Sequence, residues 1–276
     1  MIHPVISQDV NINQQSLQAS ASANTHLVLK KQEIPQDFEG DLVNQISRLH
    51  TFPATAGSSG DIWQCHLYTA DLGKVQVAVK ALRRFGVSSP VMRRSLLQEC
   101  RRWIKLEHRN IIHIYGMTSG FSVFPAVVTT WMRDGTLTEY LDRQYSYLTS
   151  RGRFHLLNDV ASGLCYLHSQ DIVHGNLTGS NVLIDESGGA RLADYGIALI
   201  IAAATDMGTS TTESYNSPNA ARWAAPELIL SEDSDDEIEP DPTKFSDVYS
   251  FGCIMLQVSS WSALKVCAIL NITSRY

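Results

Sequence analysis

The stretch His174–Gly196, HGNLTGSNVLIDESGGARLADYG, most constrains what this chain can fold into, because polar residues recur at fixed intervals between short apolar runs. His174, Asn176 and Asn181 fall on a loop that carries Gly175 and Gly179. Val182–Ile184 reads as a short buried strand, Glu186–Gly189 as a turn and Ala190–Ala193 as the returning strand. Asp194 follows at its end, before Gly196. The spacing predicts a hairpin with an amide at one end and a carboxylate at the other, which can present oxygen ligands to one divalent cation.

A chain of 276 residues allows one two-lobed domain or two small ones, and 44% hydrophobic content supports a sizeable core. The net charge of −6 comes largely from one run, Glu232–Asp241 (EDSDDEIEPD), expected to be a solvated insertion loop. The near-balanced remainder argues against a nucleic-acid binder, which needs a basic face, and the pairs Arg83-Arg84, Arg93-Arg94 and Arg101-Arg102 read as solvated faces. Five scattered cysteines without CxxC spacing read as reduced core residues of an intracellular, cytoplasmic protein. Met1–Gln32 lacks the basic start and apolar run of a signal peptide. Cys253–Leu270 is interrupted by Gln257, serines and Lys265, so it reads as a buried helix and not as a membrane span.

Along the chain, residues 1–40 are rich in Gln, Asn, Ser and Ala and are expected to be disordered, while Asp41–Leu49 reads as a short helix or strand leading into a domain over 41–276. Thr55–Ile62 (TAGSSGDI) is a small-residue turn, either a plain hairpin or a loop whose backbone can approach phosphates at Gly57 and Gly60. In Val75–Lys80 (VQVAVK), Val75, Val77 and Val79 share one face and Gln76, Ala78 and Lys80 the other. Ala78 leaves room beside Lys80 for a flat ligand; the plainer alternative is an edge lysine in water. Ser89-Pro90 caps a predicted helix running to about Leu106, with Leu96, Leu97, Cys100, Trp103 and Ile104 as its apolar stripe and Glu99 at the stripe's edge. Ala126–Trp131 reads as a buried strand, Leu137–Leu141 as helical, and Phe154–His168 as a helix with Leu157, Val160, Ala161, Leu164 and Leu167 on one face. A long linker, Ile197–Ala221, precedes Ala225-Pro226-Glu227.

The central stretch resembles the protein-kinase catalytic and metal loops: His174-Gly175-Asn176-Leu177 through Asn181 matches H-R-D-L-x-x-x-N, and Asp194-Tyr195-Gly196 matches D-F-G. The ordered set of Lys80, Glu99, Asn181, Asp194, Ala225-Pro226-Glu227 and Asp247 extends the resemblance over about Thr51 to Gln257, of the serine/threonine, tyrosine-kinase-like type. It implies an α+β, two-lobed kinase-like fold: a small β-rich N-lobe over about 41–130 and a mainly helical C-lobe over about 131–276 that ends before its last helices. It implies ATP and Mg²⁺ as cofactors and a protein substrate or partner. Nucleotide contacts would come from Gly57, Gly60, Ile62, Ala78, Lys80, Glu99, Thr129, Met132 and Leu183, and metal ligands from Asn181 and Asp194. Lys80 would pair with Glu99. Thr129 would stand at the gatekeeper position, with backbone near Thr130 and Met132 meeting the adenine edge. Asp247 would hydrogen-bond the catalytic-loop backbone, and His174 would be a packed structural residue.

Four positions depart from the family pattern. Asn176 stands where the catalytic aspartate belongs, Thr178 where serine/threonine kinases commonly carry a lysine, Gly175 where an arginine receives activation-segment phosphate, and Thr55 where the first glycine of the loop belongs. Thr205, Thr209, Ser210, Thr211, Thr212, Ser214 and Tyr215 are candidate phosphate acceptors, with Gly175 unable to receive them. Three readings stay open: a kinase with activity impaired at Asn176, a pseudokinase that binds nucleotide and partners without transfer, and a truncated, non-functional kinase fragment.

Overall fold

The computed structural model describes residues 40–56, 60–71, 73–82, 90–204, 221–229 and 241–273, with backbone alone at 90–92, 201–204 and 262–273. The described residues form eight strands and five α-helices. The strands are β1 (Ile46–Arg48), β2 (Thr55–Ala56), β3 (Gly60–Thr69), β4 (Gly73–Leu82), β5 (Ile114–Thr118), β6 (Ala126–Thr130), β7 (Val182–Ile184) and β8 (Ala190–Leu192). The helices are α1 (Pro90–Trp103), α2 (Leu137–Gln144), α3 (Ser150–Ser169), α4 (Ile197–Ala204) and α5 (Lys244–Thr273).

The N-terminal half is an antiparallel sheet in the order β1-β3-β4-β6-β5, with β2 also on β3. Alternation along β3 and β4 puts Cys65, Leu67, Val77, Val79 and Ala81 in one buried cluster with Leu42, Ala126 and Val128. Its two edges are joined by the segment before β1. Met117 N–H donates to Gly40 O and Leu42 N–H to Met117 O, both at 2.8 Å, while β1 pairs with β3 on the far side. The expected helix or strand at Asp41–Leu49 is therefore a turn and a strand that close the sheet around its core. β3 approaches β4 so tightly at Gly60 that a Cβ there would overlap the Ala81 carbonyl oxygen, so glycine is needed at that position for packing alone.

α1 buries Leu96, Leu97, Cys100 and Trp103 as its spacing predicts, while Ser89 lies outside the described residues. In α3 the buried stripe is Leu156, Val160, Gly163, Leu164 and Leu167; Leu157 and Ala161, expected there, are half-buried. A helix face that can close over Gly163 brings α3 against Leu192 of β8, which shifts the contact line by one residue. α2 opens on a capping box, with Glu139 N–H donating to Thr136 Oγ1 and Thr136 N–H to Glu139 Oε2. Thr136 bridges Leu183, and Ile184 N–H donates to Gly135 O at 2.9 Å, joining the inter-lobe connection to the β7–β8 hairpin. Ile112 N–H bonds Leu192 O and Leu192 N–H bonds Asn110 O, both at 2.9 Å, so the α1–β5 connection docks on the same hairpin.

Two sequence expectations are corrected. The linker expected from Ile197 begins as a helix, α4, whose run IALIIAAA packs against α1; apolar residues there gain more from burial than from water. Positions 205–220, which hold the candidate phosphate acceptors, and 232–240 of the acidic run lie outside the described residues. The helix over Cys253–Leu270 is part of α5, and its described part is not buried all round: Met255 (42%) and Leu256 (62%) are exposed, as are Phe245 (85%), Val248 and Tyr249 in the turns before it. Among the described residues no helix is long and apolar enough to cross a membrane. Of the described cysteines, Cys65 and Cys100 are buried as expected, but Cys165 is exposed and Cys253 half-buried.

Candidate functional site

Strand register brings four of the expected nucleotide-contact residues onto one face of the sheet. Ile62 lies opposite Lys80, Gln64 opposite Ala78, Ala78 opposite Thr129 and Lys80 opposite Val127. Ile62, Ala78, Lys80 and Thr129 thus share the sheet face turned away from the enclosed N-terminal core. Lys80 is 7% exposed, and burial of an ammonium requires a countercharge. That partner is Asp194, whose Oδ2 accepts from Lys80 Nζ.

The expected Lys80–Glu99 pair is therefore not formed. Glu99 accepts from Arg102 Nη1 at 3.0 and 3.2 Å, one helical turn away on α1. The cause lies in the packing beneath α1. Trp103 meets the Tyr195 ring edge-on at 5.9 Å and covers Gly196, while α4 lies against the same helix. Burial drives the Tyr195 phenol far above its ordinary range. Glu99 is left on the half-exposed side of α1, where Arg102 is nearest.

The floor is the loop His174–Asn181 with the β7–β8 hairpin. Val182 pairs with Leu192, and Ala193 N–H donates to Asn181 O at 2.9 Å, so Asn181 and Asp194 emerge at the same end of the hairpin. Asp194 takes φ +62°, a left-handed conformation that Asp adopts more readily than most side chains. Asn181 Nδ2 donates to Asn176 O at 2.7 Å, which turns its Oδ1 away as an acceptor. With Asp194 Oδ1 this makes a donor set of one amide and one carboxylate oxygen. It fits Mg²⁺, which binds through one or two carboxylates and phosphate oxygens in place of a protein cage. No cluster of three or more His, Cys, Asp or Glu suited to a metal occurs among the described residues.

Asp247, 1% exposed near the start of α5, holds this floor. Its Oδ2 accepts from His174 N–H at 2.8 Å and bonds His168 Nε2 at 2.8 Å, and its Oδ1 accepts from Gly175 N–H at 2.9 Å. His174 is fully buried, and burial pushes its imidazole pKa down, as a packed structural residue requires.

Ile62, Ala78, Thr129, Met132, Leu183 and Asn176 are all half-buried. Of the hinge groups expected to meet adenine, Thr130 N–H already donates to His113 O at 3.2 Å and Met132 O accepts from Gly135 N–H at 3.3 Å. Gly57 lies outside the described residues. Glu227 sits exposed in a short 3-10 turn, Pro226–Leu228. Sequence reasoning missed Arg102, His168 and Asn110. The i,i+3 spacing of Glu99 and Arg102 could have signalled the first. The bonds of His168 to Asp247 and of Asn110 Nδ2 to Ala190 O (3.0 Å) join residues too far apart in the chain for any spacing to reveal.

A family model described as protein tyrosine and serine/threonine kinase matches residues 54–271. A serine/threonine-protein kinase, STY46, of Arabidopsis thaliana is 29% identical over 203 residues, covering 74% of this chain and 32% of the relative. A tyrosine-protein kinase, SPK-1, of Girardia tigrina is 27% identical over 190 residues, 68% of this chain and 35% of its own length. A leucine-rich repeat receptor-like protein kinase, PXC2, also of Arabidopsis thaliana, is 32% identical, with 66% of this chain and 18% of the relative covered. The chain thus spans about a third or less of the length of these relatives. Matched residues, two-lobed architecture and the Lys80, Asn181 and Asp194 geometry agree, and the chain belongs to the protein tyrosine and serine/threonine kinase family.

Proposed function

We propose that this chain binds Mg²⁺-ATP between its lobes and is a protein-kinase-like domain whose transfer to protein Ser/Thr hydroxyls is impaired. The observation that carries the reading is the convergence of Lys80 on Asp194 beside Asn181, on a floor fixed by buried Asp247. Ile62, Ala78, Thr129, Met132 and Leu183 would line the base pocket, Gly57 and Gly60 would approach the phosphates, and Lys80 Nζ would bond phosphate oxygens. Asn181 Oδ1 and Asp194 would hold the cation. Bound Mg²⁺-ATP supplies the phosphoryl group and the charge that offsets its transfer.

Asn176 limits the chemistry. Its amide oxygen can accept a hydrogen bond from a substrate hydroxyl and orient it, but a neutral carboxamide does not take up the proton. General-base catalysis contributes about 10²–10⁴-fold, so loss on that scale is expected while binding persists. The Glu99–Arg102 pairing favours a second reading, a pseudokinase that binds nucleotide and a partner protein without transfer, because Glu99 is not positioned to orient Lys80.

Phosphate transfer from labelled ATP to a generic protein substrate separates the two. Asn176→Asp is expected to raise transfer by about 10²-fold or more in the impaired kinase. No transfer in either protein, with nucleotide bound, leaves the pseudokinase.

A further inference from the structure

Gln257 is a buried polar residue with no part in the reading above. It lies on α5, on the same helix as Asp247, and is 2% exposed. Its Nε2 donates to Thr138 Oγ1 at 3.0 Å, while its Oε1 is buried without a hydrogen-bond partner among the described residues. Thr138 belongs to the first turn of α2, and its own N–H donates to Gly179 O at 3.2 Å. Gly179 sits against both side chains. A Cβ built there would overlap Gln257 Oε1 and stand 2.6 Å from Thr138 Oγ1. A buried amide oxygen without a donor is costly, and an apolar residue of similar volume would avoid that cost. Packing alone therefore does not account for glutamine at this position.

The contact point is the middle of the catalytic loop. Asn181 N–H donates to Thr178 O at 3.0 Å and Ser180 N–H to Thr178 Oγ1 at 3.3 Å, forming a turn with Gly179 inside it. The same turn sets the Asn181 carboxamide, which bonds Asn176 O. We propose that Gln257 is a positioning residue for the metal-ligand pair: wedged between α2 and Gly179, it fixes the Thr178–Asn181 turn and so the orientation of Asn181. This rests on the nucleotide-binding reading above. Partners behind a metal ligand commonly set its affinity as strongly as a ligand's own geometry does.

The test measures ATP affinity by titration calorimetry on the full chain, with Mg²⁺ saturating and with Mg²⁺ chelated. The wild type, Gln257→Leu and Thr138→Val are compared. The expected result is that the gain in affinity on adding Mg²⁺ falls about tenfold in each variant, while metal-free affinity is unchanged because Lys80 and the hinge are untouched. Thr138→Val, an isosteric change in the first turn of α2, carries the same readout if Gln257→Leu does not fold. A role confined to stability would lower the melting temperature and leave the Mg²⁺ gain intact, and that outcome overturns the proposal. A wild type that binds no nucleotide overturns the nucleotide reading together with it.

Discussion

The floor and the roof of the cleft are held by different kinds of contact. On the floor, buried Asp247 accepts two backbone N–H bonds and bonds His168, and the hairpin ladder fixes Asn181 against Ala193. These bonds are 2.8–2.9 Å long, and the two from the loop backbone are buried. On the roof, Lys80 and Glu99 are placed by side-chain ion pairs, and the Glu99–Arg102 pair is open to solvent. Exposed pairs contribute about 0–1 kcal/mol, little enough to be exchanged for another partner. The half of the site around Asn181 is therefore held by buried bonds, whereas Glu99 is held by an exposed pair that contributes little to stability.

The largest expected effect breaks the floor. Asp247→Ala leaves buried donors unpaired and is expected to cost about 3–5 kcal/mol, read as a lower denaturant midpoint. Asp194→Ala leaves the buried Lys80 ammonium without its countercharge and is expected to cost on a similar scale, about 3–5 kcal/mol. A loss at Asp247 no greater than that at Glu99 would remove the distinction between floor and roof.

The pH dependence sharpens it. His174 is held neutral by burial, its folded pKa below the ordinary 6.5, so below that pH the unfolded chain binds a proton that the folded chain refuses. Its contribution is present above pH 6.5 and lost as pH falls toward the folded pKa, with a limiting slope of about 1.4 kcal/mol per pH unit. Melts of the wild type and His174→Leu from pH 7 to pH 5 check this: the slope should flatten in the variant. The smallest effect belongs to the roof. Glu99→Gln, losing only the Arg102 pair, should change stability by under about 0.5 kcal/mol. A loss of several kcal/mol would mean that Glu99 has a buried role.

The same division explains what was legible in the sequence. The hairpin of Val182–Ile184 and Ala190–Leu192, the alternation along β4 and the α1 stripe follow from local periodicity, and Asp247 was reached through the ordered motifs of the family. The pairing of Lys80 was not legible, because it depends on where α1 sits, and that is decided by Trp103 on Tyr195 and by α4 beneath it. α4 itself was hidden by the polar residues that follow it, which made Ile197–Ala204 read as the start of a linker. The closure of the sheet by Gly40–Leu42 was hidden for another reason: its partner, Met117, is far along the chain, and spacing says nothing of such contacts.

The most direct test is a thermal melt of the wild type and of Lys80→Met, each with and without Mg²⁺-ATP. A ligand that binds only the folded state adds about 2.7 kcal/mol at a hundred times its dissociation constant. The account predicts a cooperative melt that rises with Mg²⁺-ATP in the wild type and does not rise in Lys80→Met. A wild-type melt indifferent to Mg²⁺-ATP would contradict it.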